Sequence, residues 1–304
     1  MRILITGATG LVGSALVAAL AREGHTVFRM VRASTKSPGG RAGTFDVPWD
    51  PETGELGGAA VGAEAVVNLG GASIADGRWT DSRKKLLRTS RVDATRALVT
   101  ALGKMNAKPD VLVSASAVGF YGNRGDEILI EESAPGSDFL GKLARDWEAE
   151  ALHAEEFGTR VVLTRCGTIL ASEGGALPKM MLPFKFGVGG RIGDGKQWMS
   201  WVALEDVVAV LRLAIIKREL RGPINVVAPE PVRNAEFAKE LASVLHRPAI
   251  FPAPPFALRM AMGEMADALL LASQRAVPEK LTNCGYSFAS RSLKEALQAI
   301  LVAT

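Results

Sequence analysis

Met1-Arg-Ile-Leu-Ile-Thr-Gly-Ala-Thr-Gly-Leu-Val-Gly13 is the stretch whose reading decides the fold. Ile3 to Ile5 form a short apolar run suited to a strand buried on both faces. Gly7, Gly10 and Gly13 then punctuate the entry to a helix predicted over 14–23. One glycine permits a tight turn, another lets a pyrophosphate approach the backbone, and another lets the helix pack closely on its strand. Phosphates would sit at the positive end of that helix, where free N–H groups point outward. Strand, glycines and helix in this order predict a dinucleotide site built by Gly7, Thr9, Gly10, Leu11, Val12 and Gly13. The plainer alternative is a glycine-rich structural turn.

The end of the second strand, predicted over 26–31, selects the cofactor. An NAD-selective site usually carries an acid about 20 residues past the glycines, bonded to the ribose 2′-hydroxyl. Here the residues are Arg29, Met30, Val31 and Arg32, with no acid before Asp46. A carboxylate would repel a 2′-phosphate, whereas a guanidinium can grip it with two hydrogen bonds. Arg32 is therefore the expected 2′-phosphate ligand and NADP(H) the expected cofactor. A solvated strand-end arginine is the competing reading.

Strands predicted over 65–69, 111–116 and 160–165 alternate with helices predicted over 80–103 and 139–157. That alternation specifies an α/β fold, a doubly wound parallel sheet. Residues 39–56, with Pro48, Pro51 and Gly54, read as irregular. Gly70-Gly71 closes the 65–69 strand, and small residues there suit a cofactor passing close to the backbone. Beyond Gly174 the sequence becomes loop-rich, then resumes with a helix over 204–217 and a strand over 224–227. A Met- and Leu-rich helix is predicted over 256–272, as packing for a substrate lobe or a subunit contact. The expected division is a Rossmann domain over 1–245, with 174–202 contributing to the substrate lobe, and an appended domain over 246–304.

The 304 residues suffice for a full core, and 48% apolar with 22% charged residues is ordinary for a soluble globular chain. A net charge of +4 is small, and Lys36, Arg41 and Arg83-Lys84-Lys85 make no extended basic-aromatic surface, so nucleic acid is not an expected partner. Cys166 and Cys284 stand far apart without companions and read as reduced thiols. The chain opens directly in its first strand, and no charge-free apolar run reaches the ~18 residues of a membrane span. A cytoplasmic protein that does not enter membranes is expected. Acidic residues are dispersed with no His or Cys cluster, so no metal is expected.

Several stretches together resemble the extended short-chain dehydrogenase/reductase superfamily. They are Thr6-Gly-Ala-Thr-Gly-Leu-Val-Gly13, Val67-Asn-Leu-Gly-Gly71, Ser90-Arg91 with Thr95, and Ser114-Ala-Ser-Ala-Val-Gly-Phe-Tyr-Gly122. Asp146-Trp-Glu148, Gly175-Ala-Leu-Pro178, Gln197-Trp-Met-Ser-Trp201, Gly263-Glu-Met265 and Ser273-Gln-Arg275 follow. The chain is most similar to the epimerase-like subfamily that carries a C-terminal domain of unknown function, within the NAD-dependent epimerase/dehydratase superfamily. The resemblance implies an extended Rossmann fold with a small C-terminal substrate lobe. It also implies Leu69, Gly70, Gly71, Arg91 and Ser114 along the cofactor, and a homodimer through the helices at 80–103 and 139–157.

One departure bears on chemistry. Catalytic members of the superfamily use Tyr-x-x-x-Lys on one helix, where residues four apart share a face and the lysine charge lowers the tyrosine pKa. Here Leu140 and Ala144 stand at those positions, and Gly125 and Ser290 lie four residues past the two tyrosines. Ser116 and Tyr121 remain as catalytic candidates, against a strand-end hydroxyl and a packing phenol. Two functions follow. In one, an NADP(H)-dependent oxidoreductase or epimerase acts on a small polar or nucleotide-sugar-like molecule. In the other, a catalytically silent NADP(H)-sensing regulator works through a protein partner, in line with the cell-division labels of some relatives.

Overall fold

The computed structural model describes residues 1–32, 42–58 and 62–302. Lys36 and Arg41 lie outside the described residues. In chain order the first half runs β1 (Arg2–Thr6), α1 (Leu11–Arg22), β2 (Thr26–Val31), β3 (Thr44–Asp50), β4 (Glu55–Leu56), β5 (Ala65–Asn68), α2 (Asp81–Arg88), α3 (Ala94–Lys104) and β6 (Val111–Ala117). The second half continues β7 (Ile128–Leu129), α4 (Phe139–Leu152), β8 (Arg160–Cys166), β9 (Thr168–Leu170), α5 (Leu177–Lys185), β10 (Trp198–Met199), β11 (Trp201–Ala203) and α6 (Leu204–Ile216). It closes with β12 (Gly222–Val226), β13 (Val232–Arg233), α7 (Asn234–Leu245), α8 (Pro255–Met262), α9 (Glu264–Ala266), β14 (Arg275–Ala276), α10 (Glu279–Asn283) and α11 (Leu293–Val302).

Eight strands form one sheet in the order β12-β8-β6-β5-β1-β2-β3-β4, parallel except for the antiparallel β4. The order reverses at β1, the doubly wound arrangement that opens a crevice at the carboxyl ends of the strands. Alternation divides the core. Ile3 and Ile5 pack with Leu16 and Leu20 of α1 and Val210 and Leu211 of α6. Leu4 and Leu112 face the other way, onto Leu98 and Leu102 of α3 and Ala151 of α4. Arg160 donates to the carbonyls of Ala214, Ile215 and Leu220, which satisfies the open end of α6 and fixes it to β8.

A smaller lobe is assembled from distant stretches. Leu177 and Phe184 of α5, Phe237 and Leu241 of α7, and Leu293 and Leu297 of α11 share a core around the fully buried Trp201. Asp206 does not cap α6, whose N-cap is Ala203; its carboxylate accepts from the Tyr286 hydroxyl at 2.8 Å and the Ala289 N–H at 2.9 Å, holding the C-terminal segment. Among the described residues no helix is long and apolar enough to cross a membrane.

Three local readings change. The 39–56 stretch contains β3 and β4: Val47 and Trp49 alternate into the core, while exposed Pro48 lies on a strand near the sheet edge, where a missing N–H is tolerated. The 256–272 helix is broken at Gly263, whose φ of 62° no helix accommodates, and none of the residues of α8 is buried. The 80–103 helix is interrupted by one π-helical turn over Thr89–Asp93. Such turns recur at functional sites, and this one carries Arg91.

Candidate functional site

The glycine loop is shaped by three different demands. Gly7 has φ 65°, and a Cβ there would stand 2.6 Å from the Leu69 carbonyl oxygen. A Cβ on Gly13 would fall 2.2 Å from the Gly7 carbonyl oxygen, so the first turn of α1 lies directly on the loop. Gly10 is crowded less, with its nearest neighbour at 3.3 Å, and is exposed beside exposed Thr9. It is the N-cap of α1 and supplies no side-chain cap, and the first turn has no acidic residue. That leaves the positive end of α1 open toward the crevice, flanked by half-buried Leu11 and Val12. The 174–175 loop arrives from the smaller lobe, with a Cβ on Gly175 reaching within 3.0 Å of the Leu11 side chain.

Across the crevice a chain of polar side chains sets the end of β5. Thr6 Oγ1 accepts from the Leu69 and Gly70 N–H groups, each at 3.0 Å, and donates to Asn68 Oδ1 at 2.8 Å. Asn68 Nδ2 donates to Thr95 and Ser114, and Trp147 Nε1 donates to Thr95 at 2.9 Å. Ser114 is fully buried, so its hydroxyl fixes Asn68 and lies beneath the crevice floor. Gly71 is exposed and lies against the Arg91 guanidinium. Arg32 is exposed just past β2 and makes no ion pair with another described residue, whereas Arg29 is held by Asp46 at 2.6 Å.

The two catalytic candidates lie in one buried network. Arg165 of β8 forms a two-pronged ion pair with Glu148 of α4, at 2.8 Å on each side. Ser116 donates to the same Glu148 at 2.5 Å. Tyr121, with no exposed surface, accepts from Arg165 at 3.1 Å and donates to Asn225 at 2.6 Å. The Arg165 guanidinium stacks 3.5 Å over the Phe120 ring. Burial pushes the Tyr121 phenol above its ordinary pKa, against the pull of Arg165. Burial also opposes the charge of Arg165, but Glu148 outweighs it and the net direction is up. Both hydroxyls therefore serve the core: Ser116 points at α4, and the next residue, Ala117, is the exposed one.

Residues 3–227 match the NAD dependent epimerase/dehydratase family, and residues 253–300 match a domain of unknown function, DUF1731. The chain belongs to the NAD dependent epimerase/dehydratase family. It is 42% identical to Epimerase family protein ML0860 of Mycobacterium leprae over 296 residues, 97% of this chain and 94% of that one. It is 39% identical to Epimerase family protein YfhF of Bacillus subtilis over 302 residues, 99% and 98% of the two chains. The crystal structure of human epimerase family protein SDR39U1 (isoform 2) with NADPH superposes with a TM-score of 0.88 at 32% identity, covering 100% of both chains.

Within this epimerase/dehydratase frame the two positions of α4 that should carry the tyrosine and lysine are apolar. Leu140 packs beside Gly119, Ala144 is buried, and Lys142 is exposed on another face. Next to the start of α4 lies a cavity of about 260 Å³, lined by Asn123, Asp138, Phe139, Arg259, Glu264 and Asp267 among others. Arg259 pairs with Asp267, Lys84 pairs with Glu264, and Asp138 caps α4 through the Gly141 N–H at 2.7 Å. The Glu148–Arg165 pair was missed by sequence reasoning. Its signal was an arginine at the end of a strand otherwise without charge from Val161 to Thr164. The carboxylates of Glu131, Glu132 and Glu279 also gather within 4.8 Å of one another, a proximity hidden by the distance in sequence between Glu279 and the adjacent Glu131 and Glu132.

Proposed function

We propose that the chain binds NADP(H) across the carboxyl ends of β1, β2 and β5 and acts as an NADP(H)-dependent oxidoreductase or epimerase on a small polar or nucleotide-sugar-like substrate. The cradle carries this reading: two glycines whose side chains would strike backbone, an uncapped α1, and an exposed Arg32 where the 2′-phosphate would lie. The human relative solved with NADPH supports the same choice of cofactor. Bound NADP(H) supplies a hydride at C4 of the nicotinamide. Gly7, Gly10 and Gly13 hold the pyrophosphate, Arg32 the 2′-phosphate, and Leu69 and Gly70 the adenosine side. With Ser116 and Tyr121 committed inward, water entering the cavity beside Asp138 and Phe139 supplies the proton.

The second reading is an NADP(H) sensor that acts through a protein partner. It is favoured by a particular observation: Leu140, Ala144 and the two buried hydroxyls leave the cavity without the usual proton-transfer pair. Incubating stoichiometric NADPH and protein with aldehydes, ketones and nucleotide sugars, and following absorbance, separates the two. The enzyme reading predicts consumption with at least one class. It also predicts that Ser116→Ala keeps turnover while losing about 1.5–3 kcal/mol of stability, the worth of one hydrogen bond to a charged group. Tight binding with no consumption across the panel would give the protein to the sensor reading.

A further inference from the structure

Glu131 and Glu132 lie just past β7, and Glu279 is the first residue of α10. One carboxylate oxygen from each lies within 4.8 Å of those from the other two. Glu132 and Glu279 are exposed, whereas Glu131 is buried. Carboxylates this close repel one another. Among the described residues one ion pair answers them, between Glu132 and the Lys280 ammonium at 3.4 Å. The buried member is the informative one. Its Oε1 accepts from the Asn225 and Lys280 N–H groups at 3.0 and 3.2 Å. Its Oε2 is buried and has no hydrogen-bond partner among the described residues. The dispersal of acids along the sequence gives no hint of this meeting, which only the fold creates.

A carboxylate oxygen taken out of water is costly unless a donor or a cation meets it. A proton on Oε2 would neutralise Glu131 alone and leave the repulsion between Glu132 and Glu279 in place; a cation among the three relieves both. Hard divalent cations hold carboxylate oxygens at about 2.0–2.6 Å, so oxygens on opposite sides of one stand about 4–5 Å apart. That is the span of this cluster. The group holds no histidine or cysteine, so its donors suit Mg²⁺, Ca²⁺ or Mn²⁺ and not a softer metal. The exposed side, at Glu132 and Glu279, admits the ion and the waters that complete its coordination. We propose that Glu131, Glu132 and Glu279 form a binding site for a hard divalent cation. Glu131 and Glu132 belong to the segment matched over 3–227 and Glu279 to the one matched over 253–300. The ion therefore clamps α10 to the parallel sheet at β12, reinforcing the bonds that Glu131 makes to Asn225 and Lys280. None of the three carboxylates belongs to the cofactor cradle.

The test titrates Mn²⁺ into chelator-stripped protein at neutral pH and constant ionic strength, read by calorimetry, with Ca²⁺ and Mg²⁺ titrated in parallel to rank the ions. One saturable site per chain is expected, together with a urea midpoint that rises as cation is added. Glu131→Gln keeps an oxygen for the two backbone N–H groups; it should weaken Mn²⁺ by about tenfold or more, and its midpoint should no longer respond to cation. Glu279→Gln alters an exposed side chain, so its midpoint in chelator should match wild type while Mn²⁺ binding falls by a similar factor. Lys280→Gln removes the competing ammonium and should tighten binding by about two- to fivefold. Absence of saturable Mn²⁺ binding to wild type would overturn the proposal. So would binding undiminished by both Glu131→Gln and Glu279→Gln, because the ion would then sit elsewhere on the surface. Should Glu131→Gln fail to fold, Glu279→Gln decides between these results.

Discussion

Glu131 is 2% exposed, yet one carboxylate oxygen, Oε2, has no hydrogen-bond partner among the described residues. The other accepts from the backbone N–H groups of Asn225 at 3.0 Å and Lys280 at 3.2 Å, so it ties β12 to α10. Burial pushes its carboxyl above the ordinary range, ahead of the lowering by those two N–H groups. A carboxyl raised on folding contributes its full share of stability only when protonated, and loses it as pH rises through the folded-state value. Glutamine keeps the accepting oxygen and removes the charge. Glu131→Gln is therefore expected to be more stable than wild type at neutral pH, with the gap closing as pH falls below the carboxylate range. Urea unfolding across that range checks it; a gap that is constant or reversed in sign would mean that the charge is compensated in the fold.

At the scale of the element, the loop from β1 into α1 sets Gly13 apart from Gly10. A methyl on Gly13 would meet backbone at 2.2 Å, while one on Gly10 has 3.3 Å and faces the crevice. Gly13→Ala must push α1 off β1, and overpacking of this kind costs about 1–3 kcal/mol. Urea denaturation should show that loss together with loss of NADPH binding. Gly10→Ala should leave the unfolding midpoint nearly in place and weaken NADPH alone. Equal behaviour of the two variants would contradict this division of labour between Gly13 and Gly10. The same loop was the most readable part of the sequence, because its glycines answer to local geometry. β3 was hidden by Pro48, Pro51 and Gly54, whose turn-forming habits outweigh a two-residue alternation of Val47 and Trp49. The break at Gly263 was hidden in the opposite way, inside a run of good helix formers.

Across the whole molecule, the alternation of strand and helix through Arg165 was enough to give the parallel sheet, since each buried strand demands a covering helix on one face or the other. The smaller lobe was far less legible. Its core joins Leu177, Trp201, Phe237 and Leu297, residues separated by much of the chain, and no local period announces such a meeting. The site divides the same way. Backbone-contacting positions such as Gly7 and Gly13 can be read from residue type, whereas the inward turn of Ser116 and Tyr121 depends on Glu148, Arg165 and Asn225 arriving from three other elements. Arg91 announced itself only as part of a family pattern; its place between Gly71 and the Trp147 ring emerges from the fold.

An NADP(H) cradle whose selectivity resides in Arg32 is put to the proof by a binding titration of NADPH and NADH by the purified protein, repeated with Arg32→Ala. NADPH should bind tighter by about tenfold or more, with the preference lost in the variant, as expected for one charged hydrogen bond to phosphate. Equal binding of the two nucleotides by wild type would make Arg32 a bystander, and binding of neither would contradict the cradle itself.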